Sequence, residues 1–505
     1  MKVSMQKYKI CLVNPLKQNN PALCFGIGYL ASYLMKYGKH KYEIKIADEN
    51  PGKNALKIIE DFKPDFVGIT ATTVQYPRAM EIATLIKAHN RSIPIVIGGV
   101  HVSALPERTL RESNFDIGVI GEGEETFLEL VDYCIDCGGT PTIEGLRKIR
   151  GLAFKDQGKI AVNEPRPLIE NVDTIPFPAR ELFDMDFYLR PRLLIRGYWP
   201  LRTTNIFTSL GCPNDCTYCG SKVIHKRRFR PHSPEYVISE ISELVEKYRV
   251  EGLYFHDDLF IANKKRVETI CRLLIERKLA DKIIWACQGR ANLISDNDLE
   301  LLRLMKKAGC IQLEYGFESG SDHALGLLKN NVTVAQNQKA IDITKKVGLR
   351  IFGNFMLGMQ GETEQDMSRT RDFILKNIDN LDHFQSYITT PYPGTKLWDI
   401  CTKKGLLQIN SWKDLSMGGE WSILAGTGRV FTDTVPANIV WKFLREMNYL
   451  GNMKIKMGTK LNYVVKDGFR NPHMLIRLSI LYLQDIIKFN VVDRLKGSIK
   501  PRNRR

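Results

Sequence analysis

Two stretches of this chain switch repeatedly between the two-residue period of a strand and the 3.6-residue period of a helix. That alternation restricts the fold more than any other feature. In the first, short β-branched runs at 8–15, 42–48, 66–73, 94–100 and 116–124 alternate with helical patterns at 26–38, 54–63, 76–88 and 124–134. Strand, helix, strand in that order predicts a parallel sheet with helices on both faces. In the second, strands are expected at 205–210, 252–258, 283–290, 311–319, 350–359 and 383–394. The helices between them open at Ser233-Pro234, near Asn263, and at Ser295, Thr333 and Thr363. Each opener is a good N-cap, and Pro234 suits a first turn. Six βα units predict a partial (β/α)6 barrel.

Between the two, residues 139–203 change character. A β-hairpin is expected about Asp156-Gln157-Gly158, and Pro165, Pro167, Pro176, Pro178, Pro191 and Pro200 then punctuate a linker that cannot form a long helix. Beyond residue 400 the chain reads as helical, at 437–457 and 471–492, and ends in a basic tail at 496–505. Arg477, Asp485 and Lys488 interrupt the second helix, so it is not a membrane span. It either packs on the barrel mouth or lies with the tail on an anionic lipid surface.

The chemistry concentrates in Gly211-Cys212-Pro213-Asn214-Asp215-Cys216-Thr217-Tyr218-Cys219-Gly220. Three thiolates on one tight loop hold three irons of a [4Fe-4S] cube. Ordinary clusters use four cysteines, so a set of three leaves one iron open to a small molecule. Zinc sites favour a paired Cys-x2-4-Cys and a fourth ligand, and no second pair lies nearby. Cys11, Cys24, Cys134, Cys137, Cys271, Cys287, Cys310 and Cys401 follow apolar patterns and read as buried free thiols. No secretory signal is read at the start, since the first apolar run, 10–13, has strand length. A reducing, cytoplasmic compartment is expected, as an oxygen-sensitive cluster also requires.

Catalysis in such barrels sits at the C-terminal ends of the strands. Those ends carry the cysteine loop, His256-Asp257-Asp258, Gln288 and Arg290, Glu314, Glu318-Ser319, Asn354 with Gly358 and Glu362, and Pro391 to Thr395. Carboxylates and an arginine around an open iron suit a zwitterionic ligand with a ribose. Doubly wound sheets also bind ligands beyond their strand ends. There the first stretch carries Asn14-Pro15, Thr70 to Thr73, Gly98-Gly99-Val100-His101 and Gly121-Glu122-Gly123-Glu124. Small residues and hydroxyls allow a large ligand close to the backbone. A dinucleotide fingerprint is missing, since Gly26-x-Gly28 has no third glycine in step. The net charge of +17 fits nucleic acid, an anionic membrane or lysine-rich solvation. Without a helix-turn-helix, RNP-like or zinc-finger pattern, nucleic acid is not expected.

The Cys-x3-Cys-x2-Cys spacing, with the aromatic Tyr218 immediately before the third cysteine, resembles the signature of the radical SAM superfamily. In that family S-adenosyl-L-methionine (SAM) chelates the unique iron and is cleaved reductively. The resemblance implies that Cys212, Cys216 and Cys219 are ligands of a [4Fe-4S] cluster and that Tyr218 lies near the adenine. Residues 8–135 are similar to the cobalamin-binding domain of one branch of the family: the Asn-Pro after strand one, the threonine-rich loop, Gly98-Gly99 with His101, and Gly121 to Glu125. It implies cobalamin contacts at Asn14, Thr70, Thr72, Thr73, Gly98, Gly99, His101, Gly121, Glu122 and Gly123. The Asp-x-His-x-x-Gly element that supplies an axial histidine elsewhere is absent, so His101 is expected at the cofactor's periphery. Residues 255–260, the Arg290 strand, 316–320, 355–358 with 361–363, and 391–395 also look like shared segments of this branch. They imply Asp257 or Asp258 at the SAM amino group, Arg290, Glu318 and Ser319 near its carboxylate and ribose, and Met356 to Gly358 beside adenine.

An α/β chain results: a doubly wound flavodoxin-like parallel sheet (1–138), a hairpin and Pro-rich linker (139–203), a partial barrel (204–400) and a helical C-terminal region (401–505). The resemblance implies a 5′-deoxyadenosyl radical that removes hydrogen from an unactivated carbon, which then takes a methyl group from methylcobalamin. A radical cyclase or oxidative rearrangement of a tetrapyrrole or lipid-like substrate shares the same domain order. Methylthiolation needs an N-terminal cysteine triad, which Cys11, Cys24, Cys134 and Cys137 do not form. A corrinoid carrier or electron-transfer module has no use for a ringed open iron. The expected partners are a small-molecule or lipid-like substrate, an external electron donor of flavodoxin or ferredoxin type, and a membrane surface touched by the C-terminal helix.

Overall fold

The computed structural model describes residues 7–15, 22–189, 202–329, 331–415 and 429–453. Its first sheet has the order β2-β1-β3-β4-β5-β6-β7. Strands β1 (Tyr8–Asn14), β2 (Tyr42–Asp48), β3 (Phe66–Thr70), β4 (Ile95–Gly98) and β5 (Ile117–Val119) run parallel. The centre of β1 is continuously apolar because both faces are covered. Leu12 packs with Phe127 and Leu130 under α1 (Phe25–Tyr37) and α4 (Glu124–Asp136). Val13 packs with Ile69 and Ile82 under α2 (Ala55–Phe62) and α3 (Tyr76–His89). The strand order reverses between β1 and β3, which opens a crevice beyond their carboxyl ends.

The expected linker is corrected on one point. Strands β6 (Leu152–Asp156) and β7 (Lys159–Val162) turn about Gln157 and Gly158, whose φ angles are 46° and 80°. Two positive φ angles give the turn whose twist matches a hairpin. The hairpin pairs antiparallel with β5 and extends the first sheet, covering an edge that would otherwise stand bare. Farther on, Val172, Ile175, Phe183, Phe187 and Tyr188 bury their side chains in the same core.

The second sheet has six strands: β8 (Thr203–Ile206), β9 (Gly252–Phe255), β10 (Ile284–Gly289), β11 (Cys310–Glu318), β12 (Arg350–Leu357) and β13 (His383–Ile388). They pair in sequence order, all parallel. Helices α5 (Pro234–Tyr248), α6 (Lys264–Glu276), α7 (Leu299–Lys307), α8 (Val334–Val347) and α9 (Glu364–Lys376) fill the crossovers. Their starts follow from the caps. Ser233 accepts from Tyr236 N and Asn263 from Arg266 N, while Thr333 with Gln336 and Thr363 with Asp366 form capping boxes. Each cap contributes about 1 kcal/mol. Leu253, Phe255, Trp285, Cys287, Leu313 and Tyr315 form the core with the helices, whereas Tyr254 and Ala286 belong to a separate, inner cluster.

A last helix, α10 (Ala437–Met453), runs along the edge strand β13. Asn448 accepts from Ser386 N at 2.8 Å and donates to Ser386 O at 3.0 Å, standing in for the missing neighbouring strand. Gly451 permits the approach: a Cβ there would lie 2.7 Å from Phe384 O. The expected helix at 471–492 and the basic tail lie outside the described residues. A buried Arg180–Glu240 ion pair at 2.5 Å and a hydrogen bond from Leu23 N to Asn205 Oδ1 at 3.1 Å join the two sheets' surroundings.

Candidate active site

After β8 the short strand Ser209–Leu210 pairs antiparallel with Arg230–Pro231 and closes residues 211–229 into a loop. Gly211 begins it at φ +77°, and a Cβ there would lie 2.2 Å from Arg228 O, so only glycine fits. Thr217 fixes the loop to the barrel by donating its N–H to Leu328 O at 2.9 Å and accepting from Leu397 N at 3.0 Å. Cys216 is buried, and Cys212 and Cys219 are half-buried. The Cys216 sulfur accepts from Arg290 Nη1 at 3.2 Å, and the Cys212 sulfur from Asn214 Nδ2 at 3.3 Å. Both contacts direct hydrogen-bond donors at sulfur. Burial, aided by the nearby Asp258 carboxylate and opposed by the Ser221 N–H, pushes the Cys219 thiol up to about 11. Each thiolate of a cube binds a separate iron, so the three sulfurs need not meet at one point. Among the described residues no three side chains converge as a single ion requires. Three cysteines on one loop, two of them with donors on sulfur, fit a cluster.

Glu318 stands beside this loop. It accepts from the Tyr218 hydroxyl at 2.6 Å and pairs with Lys329 Nζ at 2.9 Å. Lys329 also donates to Gly316 O at 2.6 Å. Glu318 holds φ +61° where β11 breaks register with β12. A left-handed non-glycine residue costs about 1–3 kcal/mol and points to function; here it aims the carboxylate at the cysteine loop. Burial, with Glu318 beside it, raises the Tyr218 hydroxyl well above its ordinary value. Asp258 is exposed and accepts from Ser221 Oγ at 2.5 Å.

Two expected residues turn away. Asp257 is fully buried and accepts from Thr208 N, Thr208 Oγ1 and Ser209 Oγ at 2.5–2.6 Å, which commits it to fastening the end of β8. Ser319 is buried as well, its hydroxyl 2.7 Å from Thr370 Oγ1. Met356 is buried between the barrel and the first sheet's core. Gly358 (φ +78°) donates to Glu362 Oε2 at 2.6 Å. Burial pushes the Glu362 carboxyl up to about 8, despite the N–H groups of Met359 and Gly358.

At the ends of the first sheet, Asn14 is buried and donates to Asp48 Oδ1 at 2.9 Å, and Asp48 also accepts from Tyr188 at 2.6 Å. The Asn14 side-chain oxygen has no partner among the described residues. Thr70 is half-buried and Thr72 exposed. No atom lies within 4 Å of a Cβ built on Gly98 or on Gly121. Open space beside two strand-end glycines is what a broad ligand lying across the sheet needs, so these residues fit one. Gly99, at φ +97°, is required by Ala71 O, only 2.8 Å from its would-be Cβ, and Gly123 packs on Leu30.

Three expectations here are corrected. Glu122 is occupied by Arg230, which donates to both its oxygens, and by Ile169 N at 3.0 Å. His101 is fully buried, stacked on Tyr76 at 4.0 Å and edge-on to Trp412 at 4.7 Å, and burial lowers it to about 3. Thr73 is buried with it, its hydroxyl 3.2 Å from His101 Nδ1. The short helix Val100–Ala104 carries His101 into the core instead of toward the mouth.

The same short helix packs on helix Ser221–His225, which directly follows the cysteine loop. A Cβ on Gly394, beyond β13, would sit 3.2 Å from Ala104. The carboxyl ends of the two sheets thus face each other across the cysteines. Lys329 and Arg230 had no signal in the sequence, because each acts through a partner brought close only by the fold.

Residues 22–131 match the family model of the B12 binding domain, and residues 206–374 that of the Radical SAM superfamily. The chain is 37% identical over 389 residues to an uncharacterized methyltransferase of Pyrococcus horikoshii, covering 77% of this chain and 80% of that one. It is 28% identical over 376 residues to an anaerobic magnesium-protoporphyrin IX monomethyl ester cyclase of Cereibacter sphaeroides, covering 74% and 59%. Among solved structures it resembles the radical S-adenosylmethionine methyltransferase TsrM of Kitasatospora setae, solved with cobalamin and a [4Fe-4S] cluster. The TM-score is 0.65 and the identity 17%, over 80% of this chain and 79% of that one.

Proposed function

The chain belongs to the radical SAM superfamily, in its branch with a B12 binding domain, and we propose that it is a cobalamin-dependent C-methyltransferase acting on an unactivated carbon of a small molecule. The observation that carries this reading is the convergence of two sets of strand ends on one three-cysteine loop. When bound, the cluster and SAM supply a 5′-deoxyadenosyl radical, and cobalamin supplies the methyl group. Cys212, Cys216 and Cys219 hold the cluster, and Arg290 and Asn214 steady the negative charge on sulfur. Tyr218, Glu318, Asp258 and Arg290 hold SAM, with Lys329 orienting Glu318. Met356 and Gly358 flank the adenine. Gly98, Gly121, Thr70 and the free oxygen of Asn14 receive cobalamin.

Methylation is favoured over cyclisation by the relatives: the methyltransferase is more similar, and a larger share of it is matched, than the cyclase. The test needs no substrate. Protein purified with hydroxocobalamin is expected to retain the corrinoid by absorbance and, once reduced, to move label from methyl-deuterated SAM onto it. No retained corrinoid would sink the N-terminal assignment, and a corrinoid that never takes the label would favour the cyclase.

The reaction draws electrons from outside, and a basic shoulder beside the cluster loop suits an acidic donor of flavodoxin or ferredoxin type. Lys226, Arg227 and Arg228 are exposed, and Lys226 and Arg227 hold φ angles of 50° and 60° in succession. Arg227 is tied to Asp215 at 3.4 Å and Arg228 to Glu170 at 2.6 Å, while no ion pair engages Lys226 among the described residues. Lys226→Glu is expected to slow flavodoxin-driven 5′-deoxyadenosine formation about tenfold at low salt, since charge steers such encounters. Dithionite is the comparison: equal slowing with both reductants removes the docking role. Among the described residues no helix is long and apolar enough to cross a membrane. The reading places the enzyme in the reducing cytoplasm.

A further inference from the structure

Closed (β/α)8 barrels fill their interior with apolar side chains, but this open six-stranded sheet carries hydrogen-bonding groups on its inner face near the strand ends. Tyr254 on β9 donates to Glu314 Oε2 at 2.7 Å, and Asn354 on β12 donates to Glu314 Oε1 at 2.8 Å. Gln288 on β10 donates to the Tyr254 oxygen at 3.2 Å. His256 lies just above, its ring 5.5 Å from that of Tyr254. Although they lie in or directly after strands of a barrel, Glu314, Gln288, Asn354 and His256 all remain partly exposed. The lumen is therefore open at this level and not packed shut.

What these groups have left to offer is almost entirely acceptor capacity. A carboxylate has about four lone-pair sites, and Glu314 uses two. The amide oxygens of Gln288 and Asn354 accept nothing from the described residues. The Nδ1 atom of His256 is buried without a partner among them, and burial lowers the ring's pKa against the opposing pull of Glu314, Asp257 and Asp258. No lysine, arginine or histidine among the described residues forms an ion pair with Glu314. An anionic socket held by neutral donors and short of a cation selects its ligand's charge. A purely apolar ligand would desolvate Glu314 without supplying a charge to pair it.

We propose that this socket binds the substrate through an ammonium group or another nitrogen cation rich in N–H donors. Glu314 lies two residues before Gly316 on the same face of β11, and Glu318 Oε1 sits against the position of a Cβ built on Gly316, which puts the socket roughly 7 Å below the Glu318 carboxylate at the usual strand rise. The substrate then enters the lumen cation first and presents its other end to the strand ends. This rests on the reading that SAM occupies those ends.

Ligand-observed NMR titration of the full-length, cluster-reconstituted, SAM-bound protein with n-butylammonium and with 1-butanol tests it, because the two probes share a shape and differ in charge. The ammonium is expected to bind at least tenfold more tightly than the alcohol, and Glu314→Gln to bring the two within threefold. Tyr254→Phe, which removes a donor and keeps the charge, should preserve the preference; a merely structural role would make the two variants behave alike. The proposal is overturned if 1-butanol binds as well as the ammonium, or if Glu314→Gln leaves the preference intact. A parallel tenfold loss of SAM affinity in Glu314→Gln would put the carboxylate in the SAM site and overturn it as well. Failure of the radical reading shows separately, as absence of SAM binding by the wild-type protein.

Discussion

Reconstituted without oxygen, reduced with dithionite and given SAM, the wild-type chain should release 5′-deoxyadenosine, and Cys216→Ala should lower that rate about a thousandfold, ~4 kcal/mol in barrier terms. Cys216 is the most buried of the three thiols and the one whose sulfur faces the Arg290 guanidinium. Its removal leaves two cysteines for a cube that needs three, and leaves Arg290 directed at a methyl group. Iron content should fall with activity, which separates loss of the cluster from a subtler effect. Cys137→Ala is the matched control, since Cys137 is half-buried at the end of α4 and its thiol donates to two backbone oxygens, of Cys134 and Thr140. Equal 5′-deoxyadenosine from Cys216→Ala and wild type would end the radical reading.

How much of this was legible in the sequence depended on how local the signal was. The six barrel strands and four of the five helix starts followed from period and caps, because a serine, asparagine or threonine satisfies N–H groups two or three residues away. At Ser295 the same signal opened a single 3-10 turn before α7, through a box with Asp298. Side-chain direction at the strand ends was less legible. Asp257 and Asp258 are neighbours, successive residues leave an extended chain on opposite sides, and the sequence does not say which one goes in. Glu318 and Ser319 follow a register break between Gly316 and Glu318 that ends the alternation, so one reaches the site while the other binds Thr370. His101 looked like a strand-end histidine, but its burial is set by Trp412, a residue 311 positions later that no pattern connects to it. The turn at Gln157-Gly158 is a local signal, but the place of its two strands in the first sheet depended on the bare edge of β5.

Glu122 was the most misleading of these residues, and its partner makes the second large effect. It lies beyond β5 in the first sheet, while Arg230, 108 residues later, ends the ribbon that closes the cysteine loop. Their side chains are 9% and 4% exposed. Breaking a buried pair by removing one member costs about 3–5 kcal/mol, because the other charge stays buried alone. Glu122→Ala should therefore lower the thermal midpoint by about 10 °C, at a few degrees per kcal/mol for a chain of this size. Acid should erase the difference in a defined window. Burial alone would raise the Glu122 carboxyl, but hydrogen bonds from His225 and Arg230 overcome it and hold the group down at about 2, against an ordinary 4.5. A carboxylate depressed in the folded state gives its full stabilisation above the unfolded value and loses it as pH falls through the folded one. The gap between wild type and the Glu122→Gln variant should thus stay constant from neutral pH down to about 5, and close between 4.5 and 2. Urea melts across that range measure it. An unchanged midpoint in Glu122→Ala would show that other contacts hold the first sheet to the cysteine loop. The expected loss would instead mean that this ion pair sets how the cobalamin side meets the cluster side. Label transfer to the corrinoid should then fall even in variant protein kept folded at low temperature, because the reacting groups must be held in register across the boundary the pair spans.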